Sequence, residues 1–165
     1  MSLLGIDVGS TRCKATAYSL DGFPLAQAYQ SYDEIARPGG LEELDSRQVW
    51  AAVREVIREV ASRTKRDPIR ALSVTSMGGA MVPISSEGSI LGNCLLGYDH
   101  PKDRYKQQVE RALGAQRLFD ITGNLPNASF SFSALCWLRD NKPDLFERTW
   151  RFIPWSGLVC SLLGG

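Results

Sequence analysis

The sequence predicts an α/β domain in which a mixed sheet opens with three antiparallel strands and carries helices packed on it. Three observations predict this. Three short apolar or β-branched runs follow one another in the first 32 residues, parted only by turn residues. A long stripe of apolar residues at helical spacing comes next, and a short β-branched run follows it. From Asp103 onward the pattern is helical until a last short strand and helix. The chain has 165 residues, 44% hydrophobic and 22% charged, which is one domain's worth. It is long enough to bury roughly 70% of its unfolded surface, so disordered and low-complexity classes are excluded.

Leu3-Leu4-Gly5-Ile6-Asp7-Val8 is an apolar run stopped by Gly9, a buried strand with a carboxylate near its end. Cys13 to Leu20 is rich in small, Thr and Tyr residues and forms the second strand. Asp21-Gly22 is a strong hairpin signal, and Phe23 to Tyr32 returns as the third strand, with Pro24 at its start. Two hairpin turns in succession are unlike a doubly wound Rossmann unit, which runs strand, helix, strand. Arg37-Pro38-Gly39-Gly40 reads as a loop. Asp45 then caps a helix, with Gln48 as capping-box partner. Val49, Trp50, Val53, Val56, Ile57, Val60 and Ala61 make its apolar face, and it ends before Asp67-Pro68.

Ile69 to Thr75 predicts a buried strand beside the first. Met81 to Ile84 and Ser89 to Leu96 flank Ser86-Glu87-Gly88 as another hairpin. Tyr105–Leu113, Ala115–Ile121 and Phe132–Arg139 are helical segments, Pro143 to Phe146 a short turn, 151–154 a strand and 155–163 an amphipathic helix. Trp137, Trp150 and Trp155 read as core residues.

Nineteen Lys and Arg against 18 Asp and Glu leave a net charge of +1, no excess for a phosphate backbone, so no nucleic-acid partner is expected. The four cysteines (Cys13, Cys94, Cys136, Cys160) form no C-x-x-C pair and there is one histidine, His100. Neither a zinc site nor a disulfide framework is expected. No run approaches the ~18 apolar residues of a membrane span. Nor does the N-terminus resemble a signal peptide, so the sequence predicts a reduced, cytoplasmic chain without a membrane partner.

The segment richest in chemistry is Gly5-Ile6-Asp7-Val8-Gly9-Ser10-Thr11-Arg12-Cys13-Lys14. An acid at a strand end precedes a Gly that lets the backbone turn. Backbone N–H groups of such a turn can form an anion-binding nest. Ser10 and Thr11 add hydroxyls, while Arg12 and Lys14 neutralise phosphate charge. Asp7 could hold a hydrated Mg²⁺, which takes few carboxylates and several waters. The element that follows is a strand, so this is neither a Walker loop nor G-x-G-x-x-G. The same string is also compatible with a plain hairpin turn held by an Asx or Ser/Thr bond.

The Gly5–Thr11 segment with Lys14 and the Asp21-Gly22 turn resembles the phosphate hairpin of actin-like ATPases and sugar kinases. Further matches resemble the FGGY carbohydrate kinases: Pro38-Gly39-Gly40-Leu41-Glu42-Glu43-Leu44-Asp45 with Trp50, and Leu72-Ser73-Val74-Thr75-Ser76-Met77-Gly78-Gly79-Ala80-Met81-Val82. So do Thr122-Gly123-Asn124, Leu135-Cys136-Trp137-Leu138, Lys142-Pro143-Asp144-Leu145-Phe146 and the closing segment from Ile153-Pro154 to Gly164. The matches are collinear from residue 3 to 164. The resemblance implies a ribonuclease-H-like (actin-like ATPase) fold and ATP-dependent phosphorylation of a sugar or polyol, with ATP and Mg²⁺ as cofactors. Asp7 would sit at the Mg²⁺–phosphate site, with Gly9, Ser10, Thr11, Arg12 and Lys14 around the ATP phosphates. The aspartate that accepts the hydroxyl proton lies further along in the family, and nothing in 1–165 corresponds to it.

The resemblance also assigns the substrate side. Met77-Gly78-Gly79 stands where xylulose kinases carry Met-His-Gly, with Gly78 in place of His, and the Arg-Glu of glycerol kinases is absent. The likeness is therefore to xylulose rather than glycerol kinases, although a glycine-rich turn needing positive φ and a core Met77 explain the same residues. Asp99 resembles the acid of a W-x-D-x-R stretch in which Gly97 replaces the Trp and Pro101 the Arg, with Arg104 as a substitute at different spacing. His100 reads as a loop residue, Ala134 stands where many relatives have Lys, and Ser156-Gly157 where an Asp-Tyr pair is common. On this resemblance, residues 1–165 are an N-terminal domain incomplete at its C-terminal end, inactive alone, whose partners are the C-terminal lobe and a small-molecule sugar or polyol. A homodimer is left open. The rival reading is a non-catalytic actin-like nucleotide switch, which predicts no small-molecule pocket at Met77-Gly78-Gly79.

Overall fold

A computed structural model describes residues 1–37, 41–96, 103–124 and 131–164. The chain opens as expected. Strands β1 (Ser2–Val8), β2 (Arg12–Ser19) and β3 (Pro24–Ser31) run antiparallel in succession. Gly22, at φ +86°, closes the second hairpin, where its N–H donates to Ser19 O at 3.0 Å. β1 alternates strictly: Leu4, Ile6 and Val8 are buried, while Leu3, Gly5 and Asp7 face the other way. In β2, Cys13, Ala15 and Ala17 share the buried side. The small alanines let a helix approach the sheet closely.

That helix is α1 (Ser46–Arg63), which lies over β2 and β3. The Asp45 carboxylate accepts from Arg47 N at 2.9 Å and Gln48 N at 3.2 Å, so the predicted cap is present. Val49, Val53, Val56 and Val60 are buried as the stripe predicts, Ala52 joins them, and Ala61 is exposed instead. After the helix, β6 (Ile69–Ser76) pairs parallel with β1, placing Thr75 beside Asp7 and Ser76 beside Val8. The first sheet thus has the order β3-β2-β1-β6. Helix α6 (Trp155–Gly164) packs against β6, and its Trp155, Leu158 and Val159 join the α1 valines in one core.

A second sheet departs from the expectation of one. Its order is β4-β5-β8-β7-β9, with β4 (Glu34–Arg37), β5 (Leu41–Leu44), β7 (Met81–Ile84), β8 (Cys94–Leu95) and β9 (Arg151–Pro154). Arg37, read as loop, therefore ends a strand, and Pro38-Gly39-Gly40 lies outside the described residues. The predicted 81–96 hairpin is present around Gly88, although its second arm narrows to a bridge at Ile90 and the short β8. One side of this sheet contributes Leu44, Val82, Ile84, Cys94 and Leu96 to the main core. Leu95 meets Ala134 and Leu138 of α4 (Ser131–Asn141) in a second cluster that α5 (Pro143–Arg148) completes with Leu145 and Phe146. Helices α2 (Asp103–Leu113) and α3 (Ala115–Thr122) lie beyond, parted by Gly114 at φ +81°.

Two further expectations are corrected. β6 is largely exposed rather than buried, with Leu72 41% accessible although it pairs with buried Leu4, because β6 is the edge strand of its sheet. Trp155 is fully buried and Trp137 half-buried, but Trp150 is 55% exposed, with the Arg151 guanidinium 4.1 Å over its ring. No helix of the described residues is long and apolar enough to cross a membrane.

Candidate functional site

The parallel pair β1 and β6 ends in register, and Met77 N donates to Val8 O at 3.1 Å just beyond it. The turn after β1 and the turn after β6 are therefore neighbours. Ser156 N, in the first turn of α6, donates to Ser76 Oγ at 3.1 Å and brings that helix N-terminus to the same edge. Carboxyl ends of parallel strands are where open α/β sheets leave a crevice for ligands.

The turn itself, residues 9–12, is tightly held. Gly9 N donates to Arg12 O at 3.0 Å, and a Cβ on Gly9 would come 3.1 Å from that same oxygen. Two further carbonyls of the turn are taken by Tyr32: Thr11 O accepts from its backbone N at 3.0 Å and Gly9 O from its hydroxyl at 2.7 Å. Among the described residues, the N–H groups of Ser10 and Thr11 have no partner. Two consecutive free N–H groups are the donors an anion nest requires. Arg12 and Lys14, two apart on β2, lie on one face of the sheet, and neither pairs with a carboxylate among the described residues.

Asp7 is the cross-strand partner of Lys14 and the parallel neighbour of Thr75. Together with Gly5, Thr16, Tyr18 and Ser73 these residues line an open concavity of about 290 Å³ on the outer face of the sheet. Among the described residues there is no group of three or more His, Cys, Asp or Glu that could cage a metal. One exposed carboxylate beside a hydroxyl suits instead a hard cation that keeps most of its waters and takes its other ligands from phosphate oxygens. The donors present fit a nucleotide triphosphate with Mg²⁺: N–H groups and two cations for the phosphates, and Asp7 for the hydrated ion.

Beneath the turn the chemistry is quiet. Burial, with the Asp7 charge adding to it, pushes the Cys13 thiol up to about 12. Burial also raises the Tyr32 phenol, followed by Cys13, Asp7 and Cys94. Both stay protonated at neutral pH, so Cys13 is core and not a nucleophile.

The substrate-side residues divide. Met77 is half-buried against the main core, as a packing residue would be. Gly79 needs its glycine, at φ +79°, whereas a Cβ on Gly78 would meet nothing within 4 Å. Gly97, Asp99, His100 and Pro101 lie outside the described residues. Arg104, on α2, lies over the Tyr105 ring at 4.5 Å and 3.8 Å from Asp140. Ala134 is buried in the second cluster. The structure places Asp7, Gly9, Ser10, Thr11, Arg12 and Lys14 side by side on β1, β2 and the turn between them, and adds Thr75, which only β1–β6 register reveals, and Tyr32.

An antiparallel triplet, a helix and then a strand parallel to the first is the order of the actin-like ATPase class. The chain matches the family described as FGGY family of carbohydrate kinases, N-terminal domain, over residues 2–164, and belongs to that family. It is 22% identical to a xylulose kinase of Staphylococcus xylosus, over 98% of this chain and 34% of that protein. It is 33% identical to a glycerol kinase of Methylorubrum extorquens (strain PA1), over 82% of this chain and 28% of the relative. A solved xylulose kinase from Rhodospirillum rubrum superposes with TM-score 0.88 at 21% identity, covering 98% of this chain and 34% of that one. The fold is thereby shared, and the chain spans about a third of the length of the curated relatives it matches.

Proposed function

We propose that this chain is the phosphate-binding part of an ATP-dependent carbohydrate kinase that phosphorylates a sugar or polyol hydroxyl. The observation that carries the proposal is the Gly9–Arg12 turn, with two N–H groups and two cations that have no partner among the described residues, beside an exposed carboxylate. ATP supplies the phosphoryl group, and Mg²⁺ offsets charge on its oxygens. Phosphoryl transfer asks the protein mainly for positioning and charge neutralisation. Ser10 and Thr11 N–H donate to phosphate oxygens, Arg12 and Lys14 add positive charge, and Asp7 holds a water of the hydrated Mg²⁺. The substrate hydroxyl sits toward the neighbouring Met77-Gly78-Gly79 turn, and the resemblance adds Asp99 as a substrate contact. Its proton passes to an aspartate in the part of the protein beyond residue 165, which also supplies the second lobe.

The turn at 77–79 favours a xylulose-like over a glycerol-like substrate, because neither Arg nor Glu stands there. A reduced cytoplasmic setting fits four free cysteines, two of them buried. The test is ADP release by the full-length protein with MgATP and a panel of pentoses, hexoses and polyols. Stimulation by at least one of them is expected, whereas release no faster with any of them than without contradicts the proposal. Residues 1–165 alone are expected to show no turnover.

A further inference from the structure

We propose that Tyr32 is the positioning residue of the phosphate turn: its hydroxyl holds the Gly9 carbonyl inward so that the following Ser10 N–H faces the ligand. This inference rests on the nucleotide reading of the Gly9–Arg12 turn. Tyr32 lies just past the end of β3, 4% exposed, and reaches Gly9, 23 residues earlier in the chain. Its hydroxyl donates to Gly9 O at 2.7 Å and its N–H to Thr11 O at 3.0 Å.

A trans peptide is planar, with its carbonyl and the next N–H pointing in opposite directions. Fixing Gly9 C=O against the buried phenol therefore directs Ser10 N–H away from the core, while the Tyr32 N–H on Thr11 O anchors the far side of the turn beside β3. The phenol is needed because Gly9 is the one residue of the turn whose peptide can flip cheaply. Without the hydroxyl, the Gly9 carbonyl loses its partner and can rotate to the side where the phosphates bind. The phenol acts only as a donor, since burial and the neighbouring Cys13, Asp7 and Cys94 keep it protonated. A purely structural Tyr would satisfy the same carbonyls and leave nucleotide affinity untouched.

The test compares full-length wild type with Tyr32→Phe, which removes one oxygen and keeps the ring. Binding of MgATP and of adenosine is measured by titration calorimetry, together with KM and kcat. The expected result is an MgATP affinity about 3- to 10-fold weaker, the worth of one hydrogen bond, with KM for ATP rising in step. Adenosine affinity and the sugar KM should stay as in wild type, which also shows the variant to be folded. Slower hydrogen exchange at the Ser10 amide, which a flipped Gly9 peptide turns away from solvent, is a second expected readout that needs no activity. An unchanged ratio of ATP to adenosine affinity, even with a lowered melting temperature, overturns the assignment to Tyr32 alone. Wild type that binds no MgATP overturns both this inference and the reading beneath it.

Discussion

Gly9 and Cys13 show how single side chains constrain the site from opposite faces of one strand pair. A methyl group on Gly9 would stand 3.1 Å from the Arg12 carbonyl, a backbone atom that would have to give by a few tenths of an ångström. Gly9→Ala should therefore open the turn and weaken MgATP binding at least tenfold in calorimetric titration, while the circular-dichroism spectrum is kept. Asp7→Ala, on the exposed face, should lower turnover by about 10²-fold, as removal of one charge-positioning group does, without changing the spectrum. Cys13 carries a pH prediction. Its folded value of about 12 stands above the ordinary 9.0, so the stability it contributes is fully present below pH 9. Between those values the unfolded thiol gives up its proton and the folded one does not, so stability falls as pH rises. Urea titrations from pH 8 to 11 should show this decline, and Cys13→Ala should flatten it between pH 8 and 10, above which the raised Tyr32 phenol adds a decline of its own.

At the scale of elements, α1 and the second sheet differ in how they are specified. The helix has local signals: an acidic cap at Asp45 and valines at helical spacing, all legible in the sequence. Asp45→Ala should cost about 1 kcal/mol, or about 3 °C in melting temperature. β4 and β5 carry no such signal. Glu-Ile-Ala-Arg and Leu-Glu-Glu-Leu are too short and too charged for a period of two to show, and β5 finds its other neighbour, β8, about 50 residues later. Non-local pairing is also why Thr75 was passed over beside Asp7, while the β1–β2 hairpin, being local, was readable. Glu43 on β5 is 1% exposed and receives Lys142 Nζ at 2.8 Å and Asn93 Nδ2 at 3.0 Å, tying the second sheet to the α4–α5 junction. Lys142→Met leaves the buried carboxylate without that partner, and should destabilise by about 1–3 kcal/mol in chemical denaturation.

Across the whole molecule, one core gathers residues of both sheets and of α6, and the turns after β1 and β6 meet the N-terminus of α6 at one edge of it. The chain belongs to the FGGY family and spans about a third of a relative's length. The central claim is that the Gly9–Arg12 turn holds the phosphates of ATP. Its most direct measurement is calorimetric titration of the full-length protein with ATP, ADP, AMP and adenosine in Mg²⁺, repeated on Arg12→Ala and Lys14→Ala. Affinity that falls stepwise as phosphates are removed, with both variants losing the ATP advantage and keeping adenosine affinity, is the predicted result. Adenosine binding as tightly as ATP, or variants that retain the full ATP advantage, would contradict it.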